Sequence, residues 1–437
     1  MMGVRSMNMQ LPDITIPQQG AATVRTVLNA YMRDTVKSFA TISPHYLSPN
    51  VRALFASTLA FMQHLLKEDP RRIVLALRQP THGALLWTLL RESTPHGDHG
   101  ELNELVAELC LLIHTEMAMH GTVVEGLSIP KPSAHRWPTL RSISGAFVME
   151  IDPEVEHIAF APRAVKLTKA GETWIVPFAR DGILTSDAPV RVTHPYHPIV
   201  EGIFLAVSDN NPLSMFEAHP DKTGNAIDLG GHPAEEWLAT LRAAFEIVDK
   251  YLPGIGEEMR LILRTIVPVG YEPEKHLSAS YMEAIGTVYM TLHPNLMTMT
   301  EALIHEFQHN KLNTALHLDP ILHNAFSPLY TSPVRPDPRP LHGIMLAVHA
   351  FQPIARLYEL MTADGHPLSK TPSWTKRHRD IIRMDRAGAN TVLKNGQPTP
   401  TGSGFLAEMR RIDGELHVYE DAHWTAPPAV EPPPLPE

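Results

Sequence analysis

The run Thr298-Met299-Thr300-Glu301-Ala302-Leu303-Ile304-His305-Glu306-Phe307-Gln308-His309-Asn310-Lys311-Leu312-Asn313 contains the pattern H-E-x-x-H. On a helix, residues four apart lie one above the other on the same face. His305 and His309 then aim two imidazoles at one point, which is what a divalent transition metal needs. Glu306 stands beside that point, within reach of a metal-bound water, and is the candidate catalytic residue. The bland alternative is chance, because the chain carries 25 His and a lone His on an apolar helix is ordinarily packed and hydrogen-bonded. The surrounding residues favour a helix. Thr298 and Glu301 have capping-box spacing. Ala302, Leu303, Ile304, Phe307, Leu312, Ala315 and Leu316 recur at near-helical intervals, and no Gly or Pro intervenes before Pro320.

The residues after the motif narrow the kind of site. A metzincin continuation would need Gly and His where Leu312 and Ala315 stand. A thermolysin-like site would take a Glu from the next helix. The next Glu is Glu359, and only Asp319 and Asp337 precede it. His317, His323, His342 and His349 lie in the same interval, so a third His is favoured over a third Glu. Such a set with open positions suits iron(II) as well as zinc. Leu341–Met361 reads as a second helix, on which His342 and His349 are seven apart and share a face. Before it, the alternating prolines of Tyr330–Pro340 stiffen a connector that carries Arg335 and Arg339. Two arginines held there could grip a carboxylate, or pair with neighbouring acids on the surface.

The elements that must position these groups can be read from composition and periodicity. A chain of 437 residues is long enough for two or three domains. Its net charge of −10, without a basic stripe, argues against nucleic acid as a partner. No apolar window reaches the length of a membrane span, and Met1–Gln19 lacks a signal-peptide core. The single Cys, Cys110, excludes a disulfide framework and fits the cytoplasm; in its apolar run it reads as a small buried hydrophobe. The expected fold is α+β, in four segments. Residues 1–140 read as a mainly helical layer and 141–230 as β-rich, with a mostly antiparallel sheet of five or six strands. Residues 231–365 form the HExxH region, and 366–437 a helical segment ending in a Pro-rich tail. Of the polar loops, His219, Asp221 and Lys222 could face a substrate, although a solvated turn is the simpler explanation. The helical-layer histidines (His64, His82, His96, His99, His114, His120) read as surface or core residues.

His305-Glu306-Phe307-Gln308-His309-Asn310-Lys311-Leu312-Asn313, followed by Asp337-Pro338-Arg339-Pro340-Leu341 and a helix with Ala350-Phe351, resembles the HExxH motif-containing family of peptide-modification proteins. The resemblance is strongest over about residues 210–360. That family accompanies the biosynthesis of ribosomally made, post-translationally modified peptides (RiPPs), and some members are fused to radical SAM maturases. Its best-studied members are iron(II)- and 2-oxoglutarate-dependent enzymes that hydroxylate a β-carbon of a peptide residue. Carried over, the resemblance implies that His305 and His309 are metal ligands, with His349 as third ligand and His342 as the alternate. It implies that Arg339, with Arg335 behind it, holds the carboxylate of 2-oxoglutarate. The implied partners are O2 and a RiPP precursor peptide. Two other readings stand beside this one. A zinc metallopeptidase would use Glu306 as general base. A non-catalytic accessory protein would bind a peptide by strand addition.

Overall fold

The computed structural model describes residues 9–18, 20–92, 99–132, 136–178, 187–216, 224–333 and 337–424. Arg335, the loop residues His219, Asp221 and Lys222, His96 and the Pro-rich tail lie outside the described residues. The fold is α+β, with helices at the N-terminus. Contacts divide the chain into two compact units, each discontinuous in sequence. One comprises residues 1–26, 246–258 and 303–437; the other comprises 27–245 and 259–302. This division cuts across the four segments expected from the sequence.

In the second of these units, helices Pro49–Glu68, Pro70–Leu77, Pro80–Glu92 and His99–Met119 form the helical layer. Three of the four begin on a proline, whose fixed φ and missing N–H cost nothing in the first turn. Part of the chain's high proline content therefore starts helices rather than stiffening connectors. Cys110 is fully buried, as expected, and burial pushes its thiol up to about 12. His82 and His114 are core residues that burial holds neutral, each down to about 4. His114 stacks between Phe61 and Phe160 and meets Thr58 Oγ1 at 3.1 Å.

The strands do not form the single sheet expected. Among the described residues they form a four-stranded, a three-stranded and a two-stranded antiparallel sheet and a five-stranded mixed one. In the mixed sheet Thr265–Tyr271 is the central strand and runs parallel to both Thr287–Leu292 and Ile203–Ala206. Thr287–Leu292 is buried at every position, so its sequence shows no alternation.

The unit that holds the motif is helical. It contains the motif helix Leu296–Leu316 from Leu303 onward, then Leu341–Ala363, Trp374–Asn395 and Pro400–His423. The expected capping box does not form. The helix starts two residues before Thr298, and the Asn295 side chain accepts the Met297 N–H at 2.8 Å. The third helix, Trp374–Asn395, crosses the second, Leu341–Ala363, antiparallel. Trp374 Nε1 donates to Thr362 Oγ1, His378 bonds the backbone of Ala355, and Gly388 lies against Val348. A Cβ at Gly388 would stand 2.7 Å from Val348 Cγ2, so the missing side chain sets how closely these helices approach.

Residues 9–16 thread through this unit as a strap. Leu11, Ile14 and Thr15 are fully buried. Glu408 accepts the backbone N–H groups of Thr15 and Ile16, at 2.9 and 3.0 Å. The Thr15 carbonyl accepts from Gln308 Nε2 at 2.8 Å and from Lys311 Nζ at 3.1 Å. The strap's backbone groups, which a sheet would otherwise pair, are thus paired by side chains of the helices around it.

Candidate metal centre

The motif helix is enclosed almost all round. From Leu303 to Ala315 every residue is buried except His305 and His309, which are partly open. Of the apolar residues read at near-helical intervals, Ala302, Leu303, Ile304, Phe307, Leu312 and Ala315 are inside; Gln308, Asn310, Lys311, Asn313 and Thr314 are buried as well, and side-chain bonds compensate several of them. Asn310 and Thr314 bond back to the preceding turn of their own helix. Between Leu303 and Ala315 the helix is therefore open only at the histidine pair.

His305 Nε2 and His309 Nε2 lie 2.8 Å apart, with ring planes at 82°. A nitrogen of each ring and a carboxylate oxygen of Glu306 all fall within 4.8 Å of one another. Two imidazole nitrogens at that distance must share either a proton or a cation, since two lone pairs alone would repel. Burial is the main cause that lowers both rings to about 4; charge on His309 adds to it at His305, and charge on His342 adds to it at His309. Both rings are therefore neutral at pH 7, the form in which imidazole binds a metal. His309 Nδ1 is buried with no hydrogen-bond partner, an orphan that a cation, or an acceptor supporting a ligated ring, would satisfy. Phe351 packs its ring edge-on against His305, with centroids 5.3 Å apart.

Of the other expected site residues, His349 is fully buried and donates from Nε2 to the Ile14 carbonyl at 3.2 Å. His342 stacks on Phe326, with centroids 5.0 Å apart, and its Nδ1 is buried with no partner. Burial lowers the His342 pKa, and its charge reaches His309. Neither ring has a nitrogen within 4.8 Å of all three members of the His305–Glu306–His309 group. Arg339 faces Asp337, Nε to Oδ2 at 2.8 Å, on a partly exposed pair of strand residues. Of the two expectations for the connector arginines, the structure therefore shows the surface ion pair at Arg339. The cation whose charge does reach His305 is Arg377, at the start of the third helix. Its sequence context gives no sign of this, because it sits in a basic run, Lys376-Arg377-His378-Arg379, that looks like any solvated helix start.

No protein-family model matches the chain, and no curated protein matches it. Among the described residues no helix is long and apolar enough to cross a membrane.

Proposed function

We propose that this protein is an iron(II)- and 2-oxoglutarate-dependent oxygenase that hydroxylates a side chain of a ribosomally made peptide in the cytoplasm. The motif resemblance suggests the reaction. The observation that carries the metal is the 2.8 Å approach of two neutral imidazole nitrogens in the one open window of a buried helix. Nitrogens each about 2.1 Å from one cation stand about 3.0 Å apart at a right angle and about 3.4 Å apart at a tetrahedral angle. The observed 2.8 Å is shorter than both, so the pair is close enough to hold one cation of either geometry.

His305 and His309 would hold the ion. His342 and His349 each keep a buried Nδ1 without a hydrogen-bond partner, and His342 is the better third ligand because its ring is partly open, whereas His349 is fully buried with its Nε2 on the strap. When bound, iron(II) with 2-oxoglutarate and O2 supplies the oxidising chemistry. The protein keeps both imidazoles deprotonated, limits access to one opening, and sets Phe351 as an apolar wall against His305. Glu306 is 3% exposed and sets a carboxyl oxygen beside the pair. The test is metal analysis of anaerobically purified protein, then succinate release from 2-oxoglutarate with gain of one oxygen atom by a candidate peptide. Zinc as the bound metal, with no succinate formed, would reject the reading.

A peptidase is the second reading, favoured by the Glu306 carboxylate lying within 4.8 Å of both ligand nitrogens. There Glu306 would take the proton of an attacking water. Glu306→Gln would abolish peptide cleavage while sparing an oxygenase's succinate release, so that variant separates the two.

A further inference from the structure

The unit that holds the motif buries a second polar group among its last three helices. Gln352 on the second helix is fully buried, Asp385 on the third is 1% exposed, and Asp413 on the fourth, Pro400–His423, is half-buried. Helix register brings the three to one level. Between the second and third helices, Val348 meets Gly388 and the backbone of Ala355 meets His378, which sets Gln352 beside Asp385. Between the third and fourth, His378 packs on Tyr419 and Gly396 lies against Leu406, so Asp385 falls level with Asp413. Between the second and fourth, Gln352 Nε2 donates to the Met409 carbonyl at 3.3 Å and Arg356 pairs with Glu415. Four oxygens of the group have no hydrogen-bond partner: Gln352 Oε1, both of Asp385, and Asp413 Oδ1. The charges of Arg386 and His417 reach Asp413, but Arg386 Nη1 is bonded to Glu420, its Nε bonds nothing, and His417 lies 3.6 Å from Asp421.

We propose that Gln352, Asp385 and Asp413 bind a hard divalent cation, calcium or magnesium, in the core of this helical unit. Buried acceptors left without donors are costly. A proton shared between the two carboxyls would satisfy two of the four oxygens, whereas one cation can take all four. Carboxylate and amide oxygens suit calcium and magnesium, while imidazoles suit the transition metals of the histidine pair. Two carboxylates balance a double charge. Asp413 is the half-exposed member, through which the ion enters and keeps part of its water shell. This site is independent of the reaction proposed above.

The experiment titrates the full-length, chelator-stripped protein with calcium chloride and with magnesium chloride by calorimetry, beside Asp385→Asn, Asp413→Asn and His305→Ala. The expected result is that one equivalent of cation binds the wild type and His305→Ala alike, and that either Asn substitution weakens it at least about tenfold. Thermal unfolding reads the fold separately. Without cation, Asp385→Asn should melt no lower than the wild type, because an amide able to donate to Asp413 replaces an unpaired carboxyl. On adding cation, the wild type should gain Tm and Asp385→Asn should not. If Asp385→Asn does not fold, Asp413→Asn at the half-buried position carries the test. No binding of either cation at millimolar concentration overturns the proposal. So does binding that both Asn variants leave unchanged, which puts the ion elsewhere, and binding that His305→Ala abolishes, which puts it at the histidine pair.

Discussion

Lys311 Nζ lies 2.8 Å from Glu258 Oε2, and both side chains are sealed from solvent, two residues beyond the second histidine of the motif. The ammonium also donates to the Thr15 carbonyl. A buried pair like this contributes little net stability relative to apolar packing, but each partner is indispensable while the other is present. Lys311→Met is therefore expected to cost about 3–5 kcal/mol, because Glu258 is left buried and unpaired. Lys311→Met with Glu258→Leu should recover much of that loss. Chemical denaturation of the three proteins checks it, and a double variant no more stable than Lys311→Met would refute the account.

The two candidate third ligands separate by assay. His342→Ala should weaken metal binding at least about tenfold, the size expected for a ligand or its close support. His349→Ala should leave metal affinity nearly unchanged. It should cost about 2–4 kcal/mol in stability, through a lost bond to Ile14 and a cavity beside Phe405. Metal titration and thermal unfolding of both variants give the answer, and the opposite pattern would restore His349 as the ligand.

Glu408 makes a prediction about pH. Burial raises its pKa from the ordinary 4.5 to about 7, against the pull of the Ile16 and Thr15 backbone N–H groups and the Lys311 charge. Between those values the folded chain keeps a proton that the unfolded chain has lost. The contribution of this group to stability is then complete below about pH 4.5 and disappears as pH rises through about 7. Glu408→Gln is neutral throughout. From pH 5 to pH 8 the wild type should lose up to about 3 kcal/mol relative to that variant. Parallel pH profiles of the two proteins would exclude it.

Gly388 tests how the third helix is seated. Adding a methyl group there meets Val348 Cγ2 at 2.7 Å, so Gly388→Ala should destabilise by about 1–3 kcal/mol. Val348→Ala in the same chain should offset part of that cost, a coupling that a double-mutant cycle measures directly. Additive effects would show that the contact is not what sets the helix spacing.

What could be read from the residues was what short-range chemistry encodes. The helix around His305 and His309, their convergence four residues apart, the helical layer, the buried Cys110 and the α+β class all come from periodicity within about 20 residues. Local signals were weaker where another local group competed, as when Asn295 rather than Thr298 capped the motif helix. They also failed where every face of a strand is buried, since Thr287–Leu292 carries no alternation to read.

The choice among charges and histidines was made at long range. His349 shares a helix face with His342, yet it is fully buried and bonds a carbonyl 335 residues away in the chain, while His342 stays partly open. Lys311 is likewise committed at long range, to Glu258 at 2.8 Å, 53 residues earlier in the chain. The sequence alone determined that two imidazoles would meet, because four residues of helix suffice for that. Which other side chains joined them was decided by tertiary structure, because burial and pairing are properties of neighbours that the chain brings together only by folding.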